Sequence, residues 1–426
     1  MSIELSPVGI TCNLSCNYCY EHPMRDAGNY LKSYDMEKMK VSLKEEGGAF
    51  TVFGGEALLT PIDDLEKIFS WGLEWYGYNT VQTNGALISD DHIELFKKYK
   101  VHVGISVDGP GELNMSRWAG SVEKTIDMTR RSLGAIDRLI SHGIIPSIII
   151  TLYRGNATEE HIPTLISWIR ELDSKGINYM RIHLLEVDHE DVQNSYSLTP
   201  QQNVDALLEL DKVEQTLSNI KFDIFTDMRN MLLGKDDSAT CIWRACDPYT
   251  TTAVRGVDGQ GVKSNCGRTN KDGVAFTKSD TSGHERQVAL YNVPQEYNGC
   301  QGCRFFMMCS GNCPGTAVNG DWRNRTEHCS VWMTLLEVEE QKLVKEGQSP
   351  VSLSSDREKL ENIMLDYWKK GESITISTAM NILKNPSENN ISSVKARPHG
   401  DAPHGDAPHG DIQHGDHTDV SKLQKK

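Results

Sequence analysis

The sequence predicts an α/β fold on a parallel sheet, followed by a cysteine-rich segment with little apolar pattern of its own. Three observations carry this. Apolar or β-branched runs alternate with stretches of helical length through the first 190 residues. From about Thr226 the texture turns to short segments rich in Gly, Cys and Asn. The eleven cysteines are also lopsided: three lie within Cys12–Cys19, none follows until Cys241, and eight fall from Cys241 to Cys329.

Strands are expected at Ile3–Val8, Phe50–Phe53, Thr80–Gln82, Val101–Val107, Ser147–Leu152 and Met180–Leu185. Helical pattern fills Pro61–Trp75, Asp90–Tyr99, Thr125–His142 and Glu159–Lys175 between them. Such alternation implies βαβ units with right-handed crossovers. It also puts reactive groups at the carboxyl ends of the strands. The segment beyond Thr226 has too little apolar pattern for a core of its own and needs staples. Val331–Leu383 returns to a charged helical pattern. The tail repeats His-Gly-Asp at His399, His404, His409 and His414. Its five-residue period, broken by Pro and Gly, fits neither helix nor strand, so a disordered tail is expected.

At 426 residues, with 38% hydrophobic and 24% charged side chains, the chain can build two to three ordinary domains. A formal charge of −15 argues against a protein held to nucleic acid by phosphate neutralisation. The longest apolar stretch, Gly143–Leu152, contains a proline and is too short to span a bilayer. The N-terminus lacks the basic start and apolar run of a secretory signal. A cytoplasmic protein without nucleic-acid or membrane partners is therefore expected. There, an odd number of cysteines points to thiolates that bind metal or do chemistry, not to a disulfide framework.

Cys12, Cys16 and Cys19 form C-x3-C-x2-C directly after the first strand. Three thiolates on one tight loop can hold three irons of a 4Fe–4S cube and leave the fourth open to a chelating cosubstrate. A zinc site, with His22 as the nearby fourth ligand, and unligated thiols are the alternatives.

With Tyr18 before the last cysteine, this run resembles the radical SAM superfamily, and the resemblance extends further. Gly54-Gly55-Glu56 after the second strand is similar to the family's G-G-E turn, and Thr83-Asn84-Gly85 to its T-N-G. Ser106-Val107-Asp108-Gly109-Pro110 is similar to the S-x-D-G-P run of the peptide- and protein-modifying branch. The resemblance implies a partial (β/α)6 TIM-like barrel over residues 1–225. It implies a 4Fe–4S cluster on Cys12, Cys16 and Cys19 that binds S-adenosyl-L-methionine, whose cleavage yields a 5′-deoxyadenosyl radical. Tyr18, Gly54, Gly55, Glu56, Asn84, Ser106, Arg117 and Leu184 are the implied cosubstrate contacts, Glu56 facing the ammonium and Ser106 the carboxylate.

Cys300-x2-Cys303-x5-Cys309-x3-Cys313, with Cys246, Gly261, Cys266 and Cys329, resembles the SPASM domain of radical SAM peptide modifiers. Cys241 is an additional ligand outside that seven-cysteine pattern. The resemblance implies two auxiliary 4Fe–4S clusters in residues 226–335, three clusters in all. Cys241, Cys246, Cys266 and Cys313 would hold the first, and Cys300, Cys303, Cys309 and Cys329 the second. A helical extension over 336–395 and the tail over 396–426 complete the expected organisation.

Anaerobic sulfatase maturases are similar in cluster layout, but they place an aspartate base where this chain has Gly267, followed by Arg268, which could dock a carboxylate. Asp247, His183 and Glu186 remain as candidate bases. By strict alternation His183 and Glu186 share the barrel interior only if the strand ends between them. Oxidative modification or crosslinking of a ribosomally made peptide is the expected function, with the chain's own His-Gly-Asp tail as one substrate candidate. A maturase of a folded protein's residue is the alternative, and a non-catalytic iron–sulfur or metal carrier the non-enzyme one. A flavodoxin- or ferredoxin-type electron donor is implied. With eleven residues before Cys12, a separate leader-recognition protein is one way to deliver a peptide.

Overall fold

A computed structural model of the chain describes residues 2–187, 190–250, 254–269, 279 and 282–385. The repeat tail lies outside the described residues. The first seven strands are β1 (Ser2–Ser6), β2 (Phe50–Val52), β3 (Asn79–Thr83), β4 (Val101–Ser106), β5 (Ser147–Leu152), β6 (Tyr179–Leu184) and β7 (Lys221–Phe222). Each pairs in parallel with the one before it, so the chain always winds the same way. The result is an open, partial (β/α)6 barrel.

Between β1 and β2 run α1 (His22–Asp26) and α2 (Met36–Glu46), and between the next strands α3 (Ile62–Tyr76), α4 (Asp90–Lys98), α5 (Val122–Ser141) and α6 (Ile162–Ser174). α7 (Glu190–Tyr196) and α8 (Pro200–Glu214) precede β7. Local chemistry sets many ends. The Ser89 hydroxyl and His92 ring form a capping box on α4, and Ser121 accepts from the Lys124 amide on α5. α3 buries Leu65, Ile68, Phe69 and Gly72, one stripe at helical spacing. α2 shows no clean apolar stripe in the sequence, because its buried face, Met39, Ser42, Leu43 and Glu46, is half polar.

The cysteine-rich segment does not stand apart from the barrel. β8 (Val254–Asp258) lies parallel to β1 across Ser2–Ser6, and β9 (Lys263–Ser264) runs antiparallel to β8. The nine-stranded order is β7-β6-β5-β4-β3-β2-β1-β8-β9. α9 (Asp223–Leu232) runs through residue 225, where the sequence texture suggested a boundary. α10 (Glu285–Asn292) and α11 (Phe306–Cys309) follow. Then α12 (Cys329–Lys345) starts on the last cysteine and packs on α8 and α9. Trp332 of α12 meets Trp243 edge-on, with ring centroids 5.3 Å apart. α13 (Arg357–Lys369) and α14 (Ile376–Lys384) close the chain. One apolar core runs from Ile3 to Ala379, so the barrel, cysteine region and helical extension are buried together.

Candidate active site

The carboxyl ends of the strands open on a cavity with about 1190 Å³ of empty space, part of it facing solvent. β1 delivers Cys12, Cys16 and Cys19 to its mouth. The loop that carries them is pinned to the segment after β4. The Ser15 amide donates to Trp118 O at 2.7 Å, and the Asn17 amide to Ser116 O at 2.8 Å. The turn after β2 runs against the same loop: the Gly55 amide donates to Gly9 O (2.8 Å) and the Glu56 amide to Thr11 O (2.9 Å). Gly54 sits at φ +116°, and a Cβ on Gly55 would overlap the carbonyl oxygens of Ile10 and Thr11. Two glycines are what allow this approach.

The Glu56 carboxylate is engaged within the protein. It accepts from Thr83 Oγ1 (2.6 Å), the Asn84 amide (2.8 Å) and the Leu58 amide (3.0 Å), tying β2 to β3. The Asn84 side chain donates to Asn13 Oδ1 at 2.7 Å, and Ser106 Oγ accepts from Gln82 Nε2 at 2.7 Å. Tyr18 turns its hydroxyl onto Asp108 and packs against Tyr153. Arg117 grips Asp108 with two bonds, from Nε at 3.0 Å and Nη2 at 2.9 Å. Asp108 is fully buried and also accepts from the Thr151 amide (3.0 Å), so this one carboxylate organises the wall behind Cys16. Sequence alone gives Asp108 no role of its own. Its signal was its place two residues past Ser106 at a strand end.

β6 ends at Leu184, so His183, Leu184 and Glu186 all line the cavity. Arg268 also lines it, and its Nε donates to Glu186 rather than being reserved for a ligand carboxylate. Two further carboxyl groups there were missed: Glu4 on β1 and Glu21 just past Cys19. Burial, with Glu21 adding to it against Arg268 and Arg181, pushes Glu4 up to about 8; burial pushes Glu21 to about 7 against Arg25. The Glu21 carboxylate occupies the space that a side chain at 267 would enter, its Oε1 overlapping the place where a Cβ would stand. Asp247 is placed elsewhere. It is not among the cavity-lining residues, and it accepts the amides of Tyr249 (3.0 Å) and Arg286 (3.3 Å), so its geometry is that of a turn cap, not a base facing this cavity.

Residues 6–169 match the family model described as the radical SAM superfamily. Those residues form a radical SAM domain. This radical SAM chain is 26% identical over 349 residues to the cysteine-type anaerobic sulfatase-maturating enzyme of Clostridium perfringens, covering 74% of this chain and 88% of that protein. It is 24% identical over 346 residues to the serine-type enzyme of Bacteroides thetaiotaomicron, covering 73% and 82%. A 172-residue stretch is 26% identical to the antilisterial bacteriocin subtilosin biosynthesis protein AlbA of Bacillus subtilis, covering 39% and 36%. The solved structure of anSMEcpe with bound AdoMet superposes with a TM-score of 0.65 at 20% identity, covering 81% of this chain and 98% of that one, and shares the fold. The radical SAM chain is thus an enzyme of the class that uses S-adenosylmethionine with an iron–sulfur cluster.

The thiols of this radical SAM enzyme suit such a group. Burial pushes Cys12 up to about 11 and Cys16 higher still, so bare thiols would keep their protons; bonds to iron are what would release them. Arg25 Nη1 reaches Cys19 Sγ at 3.4 Å, and the Leu14 amide reaches Cys12 Sγ at 3.4 Å, donors of the kind that tune thiolate-held clusters. The other eight thiols come together in two groups. Cys241 and Cys266 feel each other's neighbours Cys246 and Cys313, whereas Cys309 feels Cys300, Cys303 and Cys329. Among the described residues no three His, Cys, Asp or Glu side chains converge on a single-ion site. A cube's ligands bind separate irons, so they ring a body instead of meeting at a point.

Proposed function

We propose that this radical SAM enzyme oxidises or crosslinks a peptide side chain in a cavity walled by both cysteine regions. One observation carries the reading: Arg268, two residues past Cys266, lines the same cavity as Cys12, Cys16 and Cys19. A side chain placed there would lie between a radical source and an electron exit. In this reading three 4Fe–4S clusters are held, by Cys12, Cys16 and Cys19, by Cys241, Cys246, Cys266 and Cys313, and by Cys300, Cys303, Cys309 and Cys329. When bound on Cys12, Cys16 and Cys19, the first cluster would supply, with S-adenosylmethionine, the radical chemistry for removing a hydrogen atom from the substrate. Gly54, Gly55, Asn84, Ser106 and Leu184 shape the cosubstrate's side of the cavity; Glu56, Tyr18 and Arg117 hold that side rigid through their own hydrogen bonds. Glu186 and His183, with Glu21 held near 7, supply groups on the wall to receive the substrate's proton, whereas Glu4, pushed up to about 8 by burial, keeps its own at neutral pH. A flavodoxin- or ferredoxin-type partner would donate the electron that starts each turnover.

The relatives' names, sulfatase-maturating enzymes and a bacteriocin biosynthesis protein, support a peptide or protein substrate. Their length coverage favours a maturase as the second reading, whereas Gly267 and the Glu21 carboxylate beside it favour different substrate chemistry. The His-Gly-Asp tail, tethered and thus at high effective concentration, is the first substrate to try. Anaerobically reconstituted enzyme is incubated with S-adenosylmethionine and a low-potential reductant, and the tail is analysed by mass spectrometry. Hydrogen loss within His-Gly-Asp units alongside deoxyadenosine is expected. Deoxyadenosine with an intact tail, but with oxidation of an added cysteine or serine peptide, would favour the maturase reading instead.

A further inference from the structure

Arg286 is among the largest fully buried side chains of the protein. It sits in the first turn of α10, where the helix dipole already disfavours a cation. All five guanidinium N–H groups are used, and every acceptor is a backbone carbonyl. Nε donates to Trp322 O (2.6 Å), Nη1 to Cys246 O (3.2 Å) and Asn312 O (3.0 Å), and Nη2 to Gly311 O (3.2 Å) and Asn324 O (2.9 Å). The nearby Asp247 carboxylate takes the Arg286 backbone amide at 3.3 Å, not its guanidinium.

Carbonyls satisfy hydrogen bonds but carry no net charge, and an uncompensated buried cation is costly. The compensation lies in what surrounds the group. Gly311 and Asn312 belong to the loop between Cys309 and Cys313, which carries one thiol of each four-cysteine set. Burial pulls the guanidinium below its usual pKa, while Cys246, Cys313, Cys300 and Cys309, two from each set, pull it back up.

We propose that Arg286 is the shared internal counter-cation of the two four-cysteine sets, its charge raising the reduction potential of the iron–sulfur groups they hold. The inference rests on reading those sets as cluster sites. Each cluster ligated by four thiolates gains negative charge on reduction, so a fixed cation in a low-dielectric interior stabilises the reduced form more than the oxidised one. Arginine serves here because it stays charged when buried and can brace five carbonyls at once.

Arg286→Lys and Arg286→Gln separate charge from bracing, because both lose most of the five hydrogen bonds and only the lysine keeps a cation. Each variant and the wild-type full chain would be reconstituted, assayed for iron and sulfide, and titrated electrochemically with detection by electron paramagnetic resonance. The expected result is that Arg286→Gln lowers the potentials of the two auxiliary signals, Arg286→Lys leaves them near wild type, and the third signal does not move. Equal behaviour of the two variants, whether equal shifts, no shifts or equal failure to load, would assign Arg286 to bracing alone and overturn the proposal. A wild-type protein loaded with a single cluster would overturn the cluster reading itself, a result read before any variant is compared.

Discussion

At the scale of single residues, the site divides into groups that are local in sequence and groups that only long-range packing brings in. The three-cysteine loop and the Gly54-Gly55-Glu56 turn were legible because their spacing and strand-end position lie within a few residues. Glu4, Glu21 and the engaged state of Arg268 were not, since each depends on a partner from a distant segment: the space beyond Gly267 is filled by a side chain 246 positions earlier. Asp108 is the residue whose loss should be felt most. Its carboxylate pairs with Arg117, whose side chain is 11% exposed, and takes the Tyr18 hydroxyl and the Thr151 amide. Asp108→Asn leaves a buried guanidinium without its counter-charge, which costs about 3–5 kcal/mol. Urea denaturation of the apoprotein measures it, and a loss under about 1 kcal/mol would show that Arg117 is paired elsewhere.

Among the elements, helix and strand identities followed from periodicity where the apolar face was clean, as in α3, and failed where it was half polar, as in α2. α9 shows how an element that sequence texture divides is held whole. Its Asp227 accepts from the Thr240 amide at 2.9 Å and the Thr240 hydroxyl at 2.7 Å, anchoring the approach to Cys241. Burial, then the neighbouring Asp223 charge, pushes Asp227 up to about 7. The folded state therefore binds a proton that the unfolded state releases near pH 4. The associated stability is complete at low pH and drains away as pH rises through 7. Asp227→Asn removes this dependence. Between pH 5 and 8 the wild-type apoprotein should lose about 2 kcal/mol more than the variant, and parallel stability curves from denaturant titrations at those two pH values would refute the assignment.

For the whole molecule, the decisive fact is that the cysteine-rich segment completes the barrel sheet. β8 covers the edge of β1, and α12 covers α8 and α9. A fragment of residues 1–235 would expose that strand edge and that helical face together. It is expected to elute as aggregate in size-exclusion chromatography, whereas residues 1–385 elute as a discrete species. A well-behaved short fragment would mean the barrel is self-sufficient. The sequence by itself determined the parallel α/β class, the three-thiol loop, the strand-end turns and the cysteine count, because each is written in local spacing and periodicity. Tertiary structure alone decided that the segments share one core, that Glu4 and Glu21 face the cavity while Asp247 caps a turn elsewhere, and that Arg286 lies between two groups of thiols. Those outcomes depend on which distant surfaces exclude water from each other, and burial and charge pairing between remote segments leave no period in the chain.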